Sequence, residues 1–306
     1  MYADRRLTKV LESGRKIPFG DTSKFILFSD CHRGDNSWAD DFAHNQNLFF
    51  HALDHYYSEG FTYIEIGDGD ELWENKEYAD IRRAHSHVFW KMREFYEAER
   101  LYLVWGNHDI ERRDQKKVEE TLGQKYYDVR TGEMEPLFEG IKVGEEIVEG
   151  LVLQHSATGN SIFLVHGHQA DPINDRWWWL SGFLVRHLWR HLQLLGVRDR
   201  TSPAKNLTKR EKIEARIEGW VETQDRLMVV CGHTHRSRFP KVGETLYFNT
   251  GSCVHPRCIT GIEIDNGEIA LIKWWIAPND DGVLCVKREI VEGCGPEKLD
   301  SFFRGE

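Results

Sequence analysis

The sequence of 306 residues lacks the features that would direct a protein into or across a membrane. No apolar run follows the first residues, so a secretory signal is not expected. The longest apolar stretch, residues 177–197, contains two arginines and two histidines, which a bilayer-spanning helix does not readily accept. Six cysteines are scattered along the chain without the spacing of a zinc finger. We therefore expect free thiols and a protein of the cytoplasm.

An excess of positive charge is also missing. The chain has 40 Lys+Arg against 50 Asp+Glu, a formal net charge of −10 with neutral histidines. Such a balance argues against nucleic acid as a partner of the whole surface. A hydrophobic fraction of 40% and a charged fraction of 29% are typical of a globular protein. Histidine and tryptophan are abundant instead, with 15 and 11 copies.

Short apolar segments rich in β-forming residues alternate with helical patterns, which predicts an α/β architecture. The predicted strands are 25–29, 63–66, 101–105, 151–154, 162–165 and 227–231. A run of further strands follows at 246–249, 259–264, 269–276 and 283–291. A mixed sheet followed by such a run predicts two sheets packed face to face. The S-W-A-D sequence at 37–40 fits a capping box and predicts a helix from there to about residue 57.

Five polar clusters directly follow five of these strands. They are D-C-H at 30–32, G-D at 67–68, G-N-H-D at 106–109, H-G-H at 166–168 and G-H-T-H at 232–235. Ligands collect at the carboxyl ends of strands in α/β sheets, so we expect the clusters to converge on one rim. Each cluster alone could be an ordinary turn or cap. Together they supply carboxylate, amide and imidazole ligands for divalent transition metals, and none relies on thiolate.

The five clusters resemble the motif set of the calcineurin-like metallophosphoesterases, which reads D-x-H, G-D, G-N-H-[DE], H and G-H-x-H. The resemblance covers about residues 25–264 and implies a single domain over 1–306, a four-layer α/β/β/α sandwich of two mixed sheets. It implies that one metal ion is held by Asp30, His32, Asp68 and His235, and the other by Asp68, Asn107, His166 and His233. It further implies that His108 is the catalytic histidine and that Asp109 orients it.

The chemistry implied by this resemblance is hydrolysis of a phosphate ester or pyrophosphate. Two divalent ions clamp the phosphate and activate a bridging hydroxide for in-line attack on phosphorus. Manganese is the preferred metal, with iron or zinc as alternatives, because mixed Asp, Asn and His sites discriminate weakly among these ions.

A helical insertion at about residues 171–224 is interpreted as a lid. Residues 176–210 contain eight basic residues and one acidic residue, so a local charge of +7 leaves −17 for the remainder. Four tryptophans also lie there, at 177, 178, 179 and 189. Basic, tryptophan-rich amphipathic helices lie on membranes or cover acyl chains, although solvated arginines on a packed helix fit the pattern equally well. Substrate contacts are predicted for Arg33, Trp177, Arg186 and Arg190.

The lid and three motif segments also resemble the UDP-2,3-diacylglucosamine diphosphatases, which cleave a nucleotide–lipid pyrophosphate at the membrane surface. The segments are D-C-H-R-G at 30–34, G-D-G-D-E-L-W at 67–73 and N-T-G-S at 249–252. The resemblance implies an amphipathic, lipid-linked substrate and peripheral contact of the lid with the inner face of the membrane. The chain differs from that subgroup at His108 and His168, where arginine and aspartate are common.

Two alternatives remain open. A soluble phosphodiesterase or nucleotide phosphatase would use the same ions on a phosphorylated small molecule. A catalytically inactive scaffold would keep the fold without turnover, but the complete ligand set favours an enzyme.

Overall fold

Two large β-sheets carry most of the strands in the computed structural model, which describes residues 2–178, 181–182 and 206–305. In chain order the strands are β1 (Arg15–Phe19), β2 (Lys24–Phe28), β3 (Thr62–Ile66), β4 (Leu101–Val104), β5 (Lys125–Asp128), β6 (Glu133–Pro136), β7 (Ile147–Val148), β8 (Gly150–His155), β9 (Ser161–Val165), β10 (Leu227–Cys231), β11 (Tyr247–Asn249), β12 (Cys258–Asp265), β13 (Glu268–Pro278), β14 (Leu284–Ile290) and β15 (Glu297–Lys298).

Most of the described helices, numbered in chain order, lie on the outer sides of the two sheets, whereas the C-terminal helix packs into the core between them. The helices are α1 (Tyr2–Ser13), α2 (Gln46–Ser58), α3 (Tyr78–Ala84), α4 (Ser86–Glu97), α5 (Gln115–Thr121), α6 (Pro172–Arg176), α7 (Leu207–Val221) and α8 (Leu299–Arg304). Short 3-10 helices at Ile110–Arg113 and His168–Ala170 follow two of the polar clusters. In the described ranges, no helix is both long and apolar enough to cross a bilayer.

Both large sheets are mixed. The eight-stranded sheet has the order β14-β13-β12-β2-β3-β4-β7, with β15 paired to β13. Its strands β2, β3, β4 and β7 are parallel, whereas β12, β13 and β14 are antiparallel neighbours. The five-stranded sheet has the order β1-β8-β9-β10-β11, in which β8 and β9 form the antiparallel pair. Strands β5 and β6 form a separate hairpin.

Alternating side chains of the central strands fill two different cores. In β2, Ile26 and Phe28 face α2 and α4, whereas Phe25 and Leu27 lie between the two sheets. On the far side, α1 and α7 cover the five-stranded sheet in a third core. The order helix, sheet, sheet, helix confirms the predicted four-layer α/β/β/α sandwich. Strands buried on both faces read as continuous apolar runs, which is why β2, β3 and β4 were recognisable in the sequence.

The helix predicted over 37–57 begins later, at Gln46. Both carboxylate oxygens of Asp40 accept backbone amides, from Asn36 at 2.8 Å and from Phe42 at 3.0 Å, and one also contacts Nε2 of His85 at 2.7 Å. Asp40 therefore closes a turn instead of capping a helix. The single domain with a lid at 171–224 stays a prediction, because residues 179–180 and 183–205 lie outside the described chain.

Candidate metal centre

All five polar clusters lie at carboxyl ends of strands, three on the eight-stranded sheet and two on the five-stranded sheet. The loops after β2 and β3 are joined by backbone hydrogen bonds, since Asp30 N donates to Gly67 O at 3.0 Å and His32 N donates to Asp68 O at 2.9 Å. The loops after β9 and β10 are joined by Gly232 N, which donates to His166 O at 3.0 Å. The two groups of loops meet across the sheets, since His233 N donates to Asp30 Oδ2 at 2.9 Å, and the clusters therefore converge on one rim as predicted.

The first predicted ligand set is assembled around Asp30. Ligand atoms of Asp30, His32 and His235 lie within 4.8 Å of one another. His235 Nε2 is 3.2 Å from Asp30 Oδ1, and the Nε2 atoms of His32 and His235 are 3.3 Å apart. Asp68 Oδ2 is 3.7 Å from His32 Nε2. The structure thus brings together all four predicted ligands of this ion.

The second set is marked by buried ligand atoms that have no hydrogen-bond partner. Ligand atoms of Asp68, His166 and His233 also lie within 4.8 Å of one another. Asn107 Oδ1, His166 Nε2 and His233 Nε2 are buried and make no hydrogen bond in the structure. Buried polar atoms are normally satisfied, so these three atoms fit ligands that face a cation. His166 Nδ1 donates to the Ile66 carbonyl at 2.9 Å, which leaves Nε2 as the ligating nitrogen.

Asp68 lies between the two sets. Its Oδ1 accepts the backbone amide of His108 at 2.8 Å, and its Oδ2 is 3.2 Å from His166 Nε2. The same Oδ2 faces His32 of the first set. One carboxylate oxygen directed at both sets is the arrangement that a bridging ligand requires.

The backbone is strained where it presents these ligands. Left-handed φ angles occur at nine non-glycine residues of the described chain, and five of them are predicted ligands: Asp30, His32, Asp68, His233 and His235. Such conformations cost about 1–3 kcal/mol each and cluster at functional sites. Close approach adds a second constraint, because a Cβ on Gly106 would lie 2.1 Å from Asp68 Oδ1 and one on Gly232 would lie 2.4 Å from Asp30 Oδ2.

The charges of the site favour a cation. Burial disfavours a charged His32, but its hydrogen bond with Glu71 and the charge of Asp68 outweigh this effect and raise its pKa to about 10. Burial likewise opposes a charged His166, yet Asp68 raises its pKa to about 9. Burial alone would raise the pKa of Asp30, but the interaction with His235 outweighs burial and lowers this pKa to about 2. Carboxylates that hold protons on neighbouring imidazoles would bind a divalent ion in exchange for those protons, so metal affinity must fall in acid.

His108 lies beside the two sets and is held by Glu71. His108 Nδ1 is 2.8 Å from Glu71 Oε1 and 2.7 Å from Oε2, and its ring stacks on Trp73 with centroids 4.0 Å apart. Glu71 Oε2 is also 2.8 Å from His32 Nδ1. Burial raises the pKa of Glu71, but His108 and His32 lower it to about 2, so this carboxylate is ionised. Sequence reasoning missed Glu71, although it follows Asp68 by only three residues.

The prediction that Asp109 orients His108 is wrong. Asp109 Oδ1 accepts the amide of Gly106 at 2.6 Å, and Oδ2 accepts the amide of Gly69 at 2.9 Å. Arg112 Nη1 lies 3.3 Å from the same Oδ2. The carboxylate therefore joins two metal-binding loops and is directed at backbone instead of at the imidazole.

The substrate contact predicted for Arg33 is also wrong. Arg33 is fully buried, and its guanidinium donates to Glu65 at 2.6 and 2.9 Å and to Asp70 at 2.7 Å. No part of it is left for a ligand. Trp177, by contrast, is 54% exposed at the beginning of the predicted lid. Arg186 and Arg190 lie outside the described residues.

Asp171, a charged residue that the sequence reasoning missed, lies next to His233 and is paired with Lys209. Asp171 Oδ2 is 3.6 Å from His233 Nε2 and 3.0 Å from Lys209 Nζ. Asp171 follows the H-G-H cluster by three residues, and this proximity in sequence could have indicated that it lies near the metal centre. Lys209 is on α7, so this ion pair connects that helix to the loop after the H-G-H cluster.

Comparison with known proteins agrees with the motif set. A family model for the calcineurin-like phosphoesterase superfamily domain matches residues 78–264, which include the last three clusters. Among solved structures, the chain is similar to Vps29 of Chaetomium thermophilum, at 13% identity over 89% of this chain and 97% of that chain, with a TM-score of 0.35. Vps29 of Chaetomium thermophilum complexed with the RaPID-derived cyclic peptide RT-D3 matches at 10% identity over 88% and 95%, with a TM-score of 0.34. No curated protein matches the sequence.

Proposed function

Because the chain belongs to the calcineurin-like phosphoesterase superfamily, we propose that it is a hydrolase that uses two divalent metal ions to cleave a phosphate ester or pyrophosphate. The observation that carries the proposal is the pair of ligand sets that meet at Asp68, one of them with three unpartnered buried ligand atoms. Asp30, His32, Asp68 and His235 would hold one ion, and Asp68, Asn107, His166 and His233 the other. When bound, such ions neutralise charge on the phosphoryl oxygens and lower the pKa of water to near neutrality.

His108 would act on the leaving group. Glu71 engages Nδ1, which therefore carries a proton, and the carboxylate fixes the ring together with the stacked Trp73. Nε2 is then the nitrogen available to hold a proton and pass it to the leaving oxygen. Glu71 acts through His108 and His32, so it is a positioning residue.

We further propose that the substrate has an apolar part, as in a nucleotide–lipid pyrophosphate, and that the lid contacts the inner face of the membrane. Three exposed apolar side chains lie in the described parts of the predicted lid: Ile173 at 56%, Trp177 at 54% and Leu207 at 55%. Trp38, on the loop after the first cluster, is 95% exposed. Exposed apolar groups beside a basic segment are suited to an anionic, amphipathic ligand.

A metal-reconstituted activity panel tests the proposed function. The purified protein is stripped with a chelator, reloaded with Mn²⁺, Fe²⁺ or Zn²⁺, and assayed on phosphomonoesters, phosphodiesters and nucleotide–lipid pyrophosphates with and without detergent. We expect turnover only after reloading, highest with Mn²⁺ and on the lipid pyrophosphate. Turnover restricted to water-soluble esters would support the soluble phosphodiesterase or nucleotide phosphatase. Bound metal without turnover on any substrate would support the inactive scaffold.

A further inference from the structure

A second group of metal-ligand side chains lies next to the centre and shares no residue with it. Ligand atoms of Glu149, His168 and Asp175 lie within 4.8 Å of one another. His168 is fully buried, and neither Nδ1 nor Nε2 has a hydrogen-bond partner in the structure. A buried imidazole normally has a partner on at least one nitrogen, so two unpartnered nitrogens indicate a missing ligand.

The spacing fits a shared cation better than a hydrogen bond. His168 Nε2 is 3.8 Å from Asp175 Oδ1, which is too long for a hydrogen bond between them. Two ligand atoms about 2.1 Å from one ion are about 3.4 Å apart in a tetrahedral site and about 4.2 Å apart when they lie on opposite sides of it. The observed separation lies between these two limits.

The charge of the group is also suited to a cation. Glu149 and Asp175 supply two negative charges, and Arg6 supplies one positive charge. The Arg6 guanidinium donates to Glu149 at 2.5 Å and to Asp175 at 2.8 and 2.9 Å, while the Tyr2 hydroxyl also donates to Asp175. One net negative charge therefore remains beside the unpartnered imidazole.

We propose that Glu149, His168 and Asp175 form a third cation site for a divalent transition metal such as Zn²⁺, separate from the proposed dinuclear centre. One imidazole and two carboxylates are a ligand set that such ions accept. Glu149 lies between β7 and β8, and His168 begins the 3-10 helix after β9, whereas Asp175 is on α6 at the beginning of the predicted lid. An ion bound here joins the base of the lid to the sheet, with Arg6 and Tyr2 of α1 as surrounding support.

Counting bound ions tests this site directly. The stripped full-length protein is dialysed against Zn²⁺, and the bound metal per chain is measured by mass spectrometry. We expect H168Q to bind one ion fewer than the wild type, and E149Q to do the same. H155Q is the matched control, because His155 ends β8 but faces Thr158 and Asp21 and belongs to none of the ligand groups. We expect it to bind as many ions as the wild type.

Equal metal content in wild type and H168Q would overturn the proposal and leave water as the partner of His168. Glu149 is a quarter exposed, so E149Q keeps the test valid if H168Q does not fold. A wild type that binds only one ion, which H168Q then loses, would support this site and contradict the dinuclear centre. Conversely, two ions bound equally by wild type and both variants would contradict this site and support the dinuclear centre.

Discussion

We propose that His108 acts on the leaving group without holding a metal ion. We expect H108A to retain the metal content of the wild type. Its kcat should fall about 10²–10⁴-fold, because general acid catalysis contributes a factor of that size. Metal analysis and steady-state kinetics on the same preparation check this prediction. Unchanged turnover would remove His108 from the mechanism, and lost metal would instead assign it a ligand role.

Glu71 has the position next to His108 that the sequence suggested for Asp109, and a pair of isosteric variants separates the two residues. E71Q removes the charge that faces His108 and His32, so kcat should fall and metal affinity should fall about 10–100-fold. D109N breaks hydrogen bonds to backbone amides and should lower the melting temperature while kcat of the metal-saturated enzyme changes little. A larger loss of kcat in D109N than in E71Q, with both enzymes saturated with metal, would restore Asp109 as the orienting residue.

The residues that could be predicted from sequence are those whose role is set locally. The ligands directly follow strand ends, so their positions at the rim follow from the α/β pattern alone. Arg33 also follows a strand end, but its partners Glu65 and Asp70 lie more than 30 positions away in the chain, and only the folded structure shows that they bury it. Which carboxylate of the 67–71 cluster reaches His108 is likewise decided by three-dimensional geometry.

At the scale of elements, the loop after β4 approaches the centre so closely that only glycine fits. A Cβ on Gly106 would lie 2.1 Å from Asp68 Oδ1, so we expect G106A to displace the bridging carboxylate and to lose bound metal and turnover together. Gly219 on α7 is the matched control, because a Cβ there would contact nothing within 4 Å. G219A should keep activity and gain up to about 1 kcal/mol of stability. Full metal content in G106A would contradict the steric argument.

Elements were predictable where the pattern is apolar and continuous, and were missed where it is not. Strand β1 contains Arg15, Lys16 and Pro18 and reads as a loop, yet it pairs with β8 along its full length at the edge of the sheet. Edge strands tolerate proline and charge because one side lacks a partner strand. The start of α2 at Gln46, later than the sequence predicted, also depends on a distant contact. Asp40 binds His85, which lies 45 residues further along the chain.

At the scale of the molecule, a buried charge network connects the loops that carry three of the five clusters. Glu65 on β3 binds Arg33 of the first loop and lies 3.5 Å from Arg112, which also binds Asp70 of the second loop. Burial raises the pKa of Glu65, but Arg33 and then Arg112 lower it to about 2. Breaking such a buried pair typically costs about 3–5 kcal/mol, because it leaves an uncompensated charge. We expect E65Q to lose stability in that range in urea unfolding at pH 7.

The acid dependence of stability gives the same network a second test. A carboxylate whose folded pKa of about 2 lies below the ordinary value of 4.5 stabilises the protein above about pH 4.5. That contribution disappears as the pH falls towards 2. The free energy of unfolding should therefore decline less steeply in E65Q than in the wild type over this interval. Parallel slopes would show that folding does not lower the pKa of Glu65.

The uneven distribution of charge along the chain predicts that the protein binds anionic membranes through the lid. Residues 176–210 carry +7 and the remainder carries −17, so an anionic surface attracts only the lid and repels the rest of the molecule. Each basic residue near an anionic membrane contributes about 1 kcal/mol, and salt screens this attraction. We expect the protein to sediment with phosphatidylglycerol vesicles at low salt, to be released at high salt, and not to bind phosphatidylcholine vesicles.

Two sets of variants test whether the lid carries this binding. The double variant R186Q/R190Q should bind less than the wild type. The control R130Q changes an arginine on the β5–β6 turn whose side chain is 54% exposed, and it should bind as the wild type does. Absence of wild-type binding at low salt would reject membrane contact. The positive charge of the lid would then be assigned to binding of a soluble phosphorylated ligand.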